Sequence, residues 1–507
     1  FSIKNVVYQQ VEEFNTYTID AISSEVLIDL NIVKAANTTL AVLNLNPLVK
    51  VNNQIKRIVS FELDYTLGAA KLNVQKNTTV KNSVLAEGSW YKFTIDKTGV
   101  FKIDKDFLQK LGIDVNAIDP KNISIYGNGG AMLPLKNSDF RHNGLQENAI
   151  FINGENDASF DSGDYILFFA SGPDSWDYGI NQNLNSTKHN FNIYSEKAYY
   201  FLTIGSSNGK RISTQPAISE SSNATITNFD DFVFYEKDEV NLFAAGQQWF
   251  GDGFNIENIR SYSIPFDEID NSAPIEVRVR GVAQSSSVSK MDVLVNNQNL
   301  FEINYGAISG LNKAVANENS GSLTGSGNEV EVNINFNNNG NPSATAYLDY
   351  IEVLGKRKLT AKDDQFVFRN FNILNASGVQ EFSITNANKI KWIWDVSNPL
   401  NPYIVENQSS NTNFTFKVNG GQLLEYVLIP DNDFYEPQLL ENSTVENQNL
   451  HSLKDIDYLI ITQDFLMGQA QRLADYHAQN SGLITKVVPL NQIYNEFSSG
   501  SPDVTAI

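Results

Sequence analysis

The pattern G-x-S-x-G, which surrounds the nucleophilic serine of many hydrolases, occurs at residues 205–209, directly after a predicted strand at residues 198–204. A serine nucleophile in this pattern stands on a sharp turn between a strand and a helix, which exposes its hydroxyl. Residues 210–216, Lys-Arg-Ile-Ser-Thr-Gln-Pro, carry no helical pattern. We therefore interpret residues 205–209 as a turn.

A second glycine-rich stretch, Gly127-Asn128-Gly129-Gly130, follows a predicted strand at residues 123–126. A phosphate-binding loop needs the N-terminus of a helix directly behind its glycines. The next residues, Ala-Met-Leu-Pro at 131–134, begin no helix. The stretch is predicted to be a turn with positive φ angles.

Four acidic residues lie close together at Glu155, Asp157, Asp161 and Asp164. Carboxylates at this spacing are able to hold Ca²⁺, although the EF-hand pattern is missing. Turns rich in Asp, Gly and Ser have the same composition. We favour a structural turn and keep a surface Ca²⁺ site as the alternative.

Cysteine is absent from the sequence, which excludes disulfides, thiolate metal sites and a cysteine nucleophile within these residues. The four histidines, His142, His189, His451 and His477, are scattered, and none lies in an H-E-x-x-H pattern. We predict polar loops around His142 and His189, and we place His477 at the edge of an apolar helix face. None is assigned to a metal or to catalysis, because no ligand spacing surrounds them.

The conspicuous aromatic residues are Trp249, Phe250, Trp392 and Trp394. Trp392 and Trp394 share one face of a predicted strand, since side chains alternate along a strand. Core packing is the expected role of all four. An exposed interface or a platform for a sugar ring is the alternative.

The composition describes a folded protein with several cores. The 507 residues are 41% hydrophobic and 19% charged, which suits roughly three to five domains. The net charge of −21 argues against nucleic acid and against an anionic membrane surface as partners. No apolar run is long enough to predict a membrane-spanning helix, and Phe1-Ser2-Ile3-Lys4 does not read as a signal peptide.

From residue 1 to about residue 450 the sequence predicts β structure. Apolar and polar residues alternate at residues 59–65, 275–280 and 330–336, which is typical of antiparallel sandwiches with one buried face. A short helix is expected after Asp104 as its N-cap, with Gly112 as its end. The predicted divisions are a β domain at 1–85, a β domain with this helix at 86–205, a jelly-roll-like sandwich at 206–355, a β domain at 356–450 and a different domain at 451–507.

The pattern changes near Asp457. The continuous apolar run at 457–461 predicts a strand buried on both faces, and a helix should follow the cap residues 462–464 and end at Gly482. One broad apolar face of this helix is predicted to contain Phe465, Leu466, Ala470, Leu473, Ala474 and His477. A second strand is predicted at 484–488, a short helix at 493–497 and a further helix start at Ser501-Pro502-Asp503. A strand, a helix and a strand in this order predict parallel pairing and the start of a doubly wound α/β domain.

Residues 457–507 resemble the opening of a gingipain-type cysteine peptidase domain. "IYNEFSSG" at 493–500, followed by Pro502-Asp503 and Ala506-Ile507, is the most specific part. Upstream stretches are similar to the sortase branch of that family, which serves the bacterial type IX secretion system. Those stretches are "GVFKIDKDFLQKLGI", "ISIYGNGGAMLPLKN", "ENAIFINGENDASFDSGDYILFFASGPDSW", "GQQWFGDGFN" and "YLDYIEV".

This resemblance implies a protein on the outer face of the bacterial outer membrane, held there by the β-barrel protein PorV and other attachment-complex proteins. It implies removal of the C-terminal sorting domain of secreted cargo, and transfer of the new carboxyl end to a lipopolysaccharide or similar amine acceptor. The implied caspase-like domain uses a Cys nucleophile and a His base through an acyl-enzyme. The family's catalytic positions are not among these 507 residues. We assign no catalytic, cofactor or metal residue and expect residues 1–450 to be scaffold and docking surface.

A different class of function stays open. The acidic, Asn-rich β domains fit equally well a secreted, non-catalytic adhesion or binding protein that carries a degenerate peptidase remnant. A His and a Cys, each at a strand end beyond residue 507, would favour the peptidase.

Overall fold

The computed structural model describes residues 2–11, 22–24, 26, 28–35, 38–52, 54–64, 80–180, 182–244, 246–325, 327–409, 412–431 and 433–507. The chain divides into two compact units, residues 1–75 and 76–507. Antiparallel sheets dominate both units, and a β-α-β segment ends the second. The predicted fold class is thereby confirmed.

The first unit contains a three-stranded antiparallel sheet in the order β1-β5-β4 and a β2-β3 hairpin. The predicted alternating run at 59–65 falls in β5 up to residue 64, and Tyr65 lies outside the described residues. The strands are β1 (Ser2–Gln10), β2 (Ile28–Ala35), β3 (Thr38–Leu45), β4 (Leu48–Val51) and β5 (Gln54–Asp64).

The second unit opens with β6 to β14 and helix α1. Their bounds are β6 (Trp90–Ile95), β7 (Gly99–Asp104), α1 (Lys105–Lys110), β8 (Ile123–Tyr126), β9 (Glu147–Asn148), β10 (Phe151–Asn153), β11 (Tyr165–Ala170), β12 (Ser175–Asp177), β13 (Lys188–Asn190) and β14 (Ala198–Ile204). The predicted helix is confirmed: the Asp104 side chain accepts a hydrogen bond from the Phe107 N–H at 2.9 Å, and Gly112 follows the helix with φ +92°.

The next stretch contributes β15 to β25. Their bounds are β15 (Ser213–Thr214), β16 (Ala224–Ile226), β17 (Asn228–Glu236), β18 (Gly253–Phe254), β19 (Ile259–Pro265), β20 (Pro274–Gln284), β21 (Ser289–Val295), β22 (Gln298–Tyr305), β23 (Val315–Thr324), β24 (Glu329–Asn337) and β25 (Thr345–Lys358). Every second residue of β24 from Val330 to Phe336 is buried, as the alternation predicts. β20 departs from its pattern, because Arg278 on its predicted wet face is only 4% exposed.

The remaining β strands precede the β-α-β segment. They are β26 (Phe366–Arg369), β27 (Val379–Ile384), β28 (Ile390–Asp395), β29 (Tyr403–Val405), β30 (Phe414–Asn419), β31 (Glu425–Pro430) and β32 (Gln438–Val445). The last elements are β33 (Tyr458–Thr462), α2 (Met467–Ser481), β34 (Thr485–Pro489) and α3 (Leu490–Phe497).

Two packed sheets form the part of this unit that carries the site described below. A five-stranded sheet runs in the order β32-β6-β14-β8-β9, and a three-stranded sheet runs β10-β11-β7. Both sheets contribute to one core, with Phe93 and Tyr200 from the first and Ile103 and Phe168 from the second. Burial of these large apolar side chains fixes the two sheets against each other.

The other large sheet has ten strands, in the order β15-β29-β28-β31-β26-β17-β25-β20-β23, with β18 paired to β25. A four-stranded sheet, β19-β24-β21-β22, packs with it over a core of alternating aliphatic residues. Strands from both sides of the predicted division at 355/356 pair within this ten-stranded sheet. In the five-stranded sheet, β32 pairs with β6, which is far from it in the sequence. The five predicted domain ranges stay predictions.

The β-α-β segment has the predicted order of elements and the predicted parallel pairing of its strands. β33 and β34 are parallel, and Gly482 ends α2 with φ +67°. Two details differ from the prediction. Leu459 in β33 is 50% exposed, because among the described residues α2 covers only one face of this two-stranded sheet. Phe465 and Leu473, on the predicted apolar face of the helical stretch, are 82% and 43% exposed.

Among the described residues, no helix has both the length and the apolar character needed to cross a bilayer.

Candidate functional site

The candidate site is the seam, which we define as the contacts of residues 490–503 with β6, β14, residues 128–143 and residues 448–451. Glu496 on α3 lies at its centre, with a side chain that is fully buried. Its Oε1 accepts hydrogen bonds from the Leu450 N–H at 2.7 Å and from Nε2 of Gln448 at 3.0 Å. Its Oε2 accepts from the His451 N–H at 3.2 Å and lies 2.5 Å from His451 Nδ1.

Burial by itself would raise the pKa of the Glu496 carboxyl. The hydrogen bonds from His451, Leu450 and Gln448 outweigh that effect and bring the pKa below its usual range. Glu496 is therefore a buried carboxylate whose negative charge is satisfied by four hydrogen-bonding groups.

His451 connects this carboxylate to the β sheets. Its Nε2 lies 2.9 Å from Oδ1 of Asn143, and its ring packs on Phe497 with centroids 4.7 Å apart. His451 is one of the four histidines to which the sequence assigns no role. No local signal marks it, because Asn143 and Glu496 are far from it in the chain.

Lys92 on β6 reaches the seam from the sheet side. Its Nζ donates hydrogen bonds to Oδ1 of Asn495 and to the carbonyl of Gly500, both at 3.0 Å, and it lies 4.2 Å from the ring centroid of Tyr199. Among the described residues, no carboxylate forms an ion pair with it. Burial therefore lowers the pKa of the Lys92 amine to about 7.

At Gly500, the segment of residues 490–503 passes close to β6 and β14. Its φ is +86°, and a Cβ at this position would lie 2.6 Å from Cε of Lys92 and 3.0 Å from Cβ of Tyr199. Both the backbone conformation and the space therefore require glycine here.

The backbone after β8 completes the seam. Oγ of Ser499 accepts a hydrogen bond from the Asn128 N–H at 2.9 Å and donates to the Tyr199 carbonyl at 3.3 Å. Oδ2 of Asp503 accepts from the Leu133 N–H at 2.7 Å. Residues 499–503 are thus held by β14, by the glycine-rich stretch and by the loop directly after it.

The stretch Gly127–Gly130 is the turn that the sequence predicts, since Gly129 has φ +84°. A Cβ on Gly127 would lie 2.5 Å from the ring of Tyr200, and one on Gly130 would lie 2.4 Å from Cβ of Ala198. The glycines thus allow the backbone to pass close to β14, and the Asn128 N–H between them binds Ser499 in the seam.

The prediction that Ser501 caps a helix start is wrong. A 3-10 turn at Val504–Ala506 is capped by Asp503, whose Oδ1 accepts from the Thr505 N–H at 2.7 Å. Ser501 is buried, and its hydroxyl has no hydrogen-bond partner among the described residues. Asp503 caps the turn instead, and its second carboxylate oxygen is held by the Leu133 N–H.

The other sequence-predicted candidates lie away from the seam. The pattern at 205–209 is a loop tied to residues 121–122 by two backbone hydrogen bonds, from Gly209 to the Lys121 carbonyl and from Gly205 to the Asn122 carbonyl, and no helix follows it. The interpretation of this pattern as a turn is consistent with that geometry.

The acidic cluster forms the turn that we favoured. Oγ of Ser159 lies 3.1 Å from carboxylate oxygens of Asp157 and Asp161, and the Asp161 N–H donates to Asp164 at 2.6 Å. Glu155 pairs instead with Arg211. Within the described ranges, no group of three His, Cys, Asp or Glu side chains is arranged to hold a metal ion.

The prediction of a polar loop around His189 is wrong. His189 lies in β13, with its ring between Glu236 and Glu352 and stacked on Phe234 at 4.4 Å. Burial would lower its pKa, but the hydrogen bonds with both glutamates outweigh burial and raise the pKa to about 9. Arg278 also pairs with Glu352. His189, Glu236, Glu352 and Arg278 therefore form a buried charge network.

The remaining two histidines have the expected surroundings. His142 lies in a loop and is half-buried, and burial lowers its pKa. His477 lies on α2 and packs edge-on against Tyr458 with centroids 4.9 Å apart.

The four conspicuous aromatics differ in exposure. Trp394 and Phe250 are core residues, at 0% and 3% exposed, and Trp392 is partly buried against Phe151. Trp249 is 40% exposed. It lines a cavity of about 830 Å³, which we call the groove and which extends to Pro502 at the edge of the seam.

Comparison with known proteins defines the class first. Residues 451–507, which contain the β-α-β segment and most of the seam, match the model of Peptidase family C25. This segment is therefore similar to the gingipain-type cysteine peptidase class. A search of curated proteins found no match to this chain.

The particular protein that it resembles is PorU. The crystal structure of dimeric latent PorU from Porphyromonas gingivalis superposes with a TM-score of 0.71 at 23% identity, over 85% of this chain and 40% of that one. The chain thus has a PorU-like fold and spans about 40% of the length of PorU. A carbohydrate-binding module, CBM36 in complex with calcium and xylotriose, aligns with 24% of this chain and 98% of that one, at 16% identity and a TM-score of only 0.17.

Proposed function

We propose that this chain is the scaffold and docking region of a cell-surface cysteine endopeptidase and sortase of the type IX secretion system. The observation that carries the proposal is the seam, where a segment of the C25 class is fixed to a PorU-like β scaffold by buried polar groups. A seam of this kind orients a peptidase domain relative to the surface on which substrates and partners are held.

In this proposal the whole protein cuts the C-terminal sorting domain from secreted cargo through a thiolate nucleophile and an acyl-enzyme. Water or an amine on a lipopolysaccharide or similar acceptor then resolves that intermediate. The described residues contribute no group to these steps. Their part is to position β33 and β34, from which the sheet that carries the catalytic groups would continue.

The apolar surface of the β-α-β segment supports this role. Phe465, Leu459 and Ile484 are 82%, 50% and 54% exposed. Large apolar side chains with this exposure favour packing against further structure. We propose that later elements of the peptidase domain cover them.

The proposed location is the outer face of the outer membrane, with PorV and other attachment-complex proteins as partners. The support is the likeness to PorU, together with a strongly acidic composition that does not favour direct binding to anionic lipid. The β scaffold would supply the docking surface.

The test is deletion of the gene in the source bacterium, followed by mass analysis of secreted cargo. We expect cargo to keep its C-terminal sorting domain and to be released from the cell surface, and the wild-type gene should restore both properties. Processed, surface-attached cargo in the deletion strain would refute the proposal. A loss of adhesion with normal cargo processing would instead favour a binding protein.

A further inference from the structure

The groove is a concave surface of the second unit that adjoins the seam and shares Tyr199 and Pro502 with it. Its volume of about 830 Å³ falls within the range of sites that bind small ligands or short peptide segments. It is lined by residues 191–197, Tyr199, residues 236–239, Trp249 and Pro502. A ligand in the groove would therefore touch both the β scaffold and the C25-matching segment.

Trp249 is held at the groove by the backbone and not by core packing. The neighbouring Phe250 is buried, and its N–H donates to the Val240 carbonyl at 2.9 Å while the Val240 N–H donates back at 2.8 Å. This pairing fixes the chain at Trp249 and leaves the indole 40% exposed. An exposed, positioned indole is a preferred surface for a cation and a common anchor in peptide binding.

The lining that includes this indole also contains carboxylates without compensating partners. Among the described residues, none forms a hydrogen bond or ion pair with the side chains of Glu196, Asp238 or Glu239, while Lys197 is the unpaired cation of the same lining. Lys237 is committed to Asp252 at 3.4 Å.

The electrostatics of Asp238 agree with an excess of negative charge. Burial, together with the charge of Glu236, raises the pKa of Asp238 to about 6. A cation bound close to Asp238 would lower this pKa again, because an opposite charge nearby favours the ionised carboxyl.

We propose that the groove binds a basic peptide segment of a partner protein, with an Arg or Lys side chain between the Trp249 indole and the carboxylates of Asp238 and Glu239. Charge complementarity selects this occupant over a neutral sugar, which would use the aromatic ring but leave the carboxylates unpaired. The site is formed by the described chain alone and does not depend on the proposed peptidase role.

The test is isothermal titration of the chain of residues 1–507 at about pH 7.5, where Asp238 is ionised, and about 50 mM NaCl. The probe is an acetylated, amidated Gly-Arg-Ala-Arg-Ala-Gly peptide, and the comparison peptide carries Gln in place of Arg. We expect heat of binding from the arginine peptide and at least about tenfold weaker binding of the glutamine peptide. No binding of the arginine peptide at about 1 mM would overturn the proposal.

Variants distinguish binding in the groove from attraction of the peptide by the net negative charge of the protein. Trp249→Ala and the double change Asp238→Asn/Glu239→Gln should each weaken binding at least about tenfold, with unchanged melting temperature. The charge-matched control Asp363→Asn/Glu406→Gln removes two surface carboxylates outside the groove and should change the affinity less than about twofold. An equal loss in the control, or displacement of the peptide by a neutral xylo-oligosaccharide, would refute the assignment.

Discussion

Oε2 of Glu496 lies 2.5 Å from Nδ1 of His451, at a point where both side chains are almost completely buried. This contact joins α3 to the residues at which the C25-matching segment begins. It makes Glu496 the residue whose loss should open the seam most.

Replacing Glu496 by Ala should expose the seam to local opening. The Leu450 N–H, the Gln448 amide and His451 would lose their acceptor, and each buried group left unsatisfied costs about 1–3 kcal/mol. We expect the opening free energy of residues 490–503 to fall by about 3 kcal/mol. Hydrogen exchange with mass spectrometry measures it, and Glu446→Ala, which removes an exposed carboxylate, should leave exchange unchanged.

Gly500→Ala should open the same segment for a steric reason. The new Cβ would meet the Lys92 side chain and Tyr199 in addition to the strain of a positive φ. Gly482→Ala is the matched control, because it has φ +67° with no atom within 4 Å of its Cβ. The control should cost about 1 kcal/mol, the strain alone, and Gly500→Ala clearly more. Equal exchange in both variants would contradict the close approach at Gly500.

The stability of the seam should rise with pH. The pKa of Lys92 is lowered to about 7 in the folded protein against 10.5 in the unfolded chain, so between these values the unfolded state binds more protons. Protection of residues 495–503, corrected for intrinsic exchange rates, should therefore increase from about pH 7 upward. Lys92→Met should remove this slope, and a slope that persists in the variant would assign the effect to another group.

Glu352→Ala should destabilise the second unit globally. This carboxylate is buried between His189 and Arg278, and removal of one member of a buried ionic network typically costs about 3–5 kcal/mol. Urea unfolding followed by tryptophan fluorescence measures the change. Glu441→Ala, on an exposed position of β32, should fall within about 0.5 kcal/mol of the wild type.

The same network should make the second unit less stable in alkali. The pKa of His189 is raised from 6.5 to about 9, so its contribution is complete below about pH 6.5 and is lost as the pH rises through about 9. Melting temperatures over this range should fall in the wild type. His189→Gln should be less stable at pH 6 and show a flatter profile, and an identical slope would exclude His189 as the cause.

The sequence was sufficient for features that depend on neighbouring residues. Strand alternation in β24, the cap at Asp104, and the strand-helix-strand order after Asp457 all follow from local patterns. The exposed Phe465 shows the limit of such patterns, since an apolar face predicts burial without naming what covers it.

The seam could not be predicted because its partners are remote in sequence. Lys92 and Asn495 are 403 positions apart, and His451 lies 308 positions from Asn143. The polar loop predicted around His189 is wrong for a related reason. Its neighbours Lys188 and Asn190 are polar, while the glutamates that pair with its ring come from β17 and β25. Family resemblance marked residues 493–500 as specific, and the structure adds that Glu496 and Gly500 make the contacts.

β32 pairs with β6, so a late strand of the second unit joins the sheet that contains its first strand. A strand from the start of the second unit is therefore paired with one from late in it, and Oδ1 of Asn449 accepts a hydrogen bond from the Ser83 N–H at 2.9 Å. A single proteolytic nick in the exposed loop near Gln247 would yield two fragments that stay associated under native conditions and separate only in denaturant.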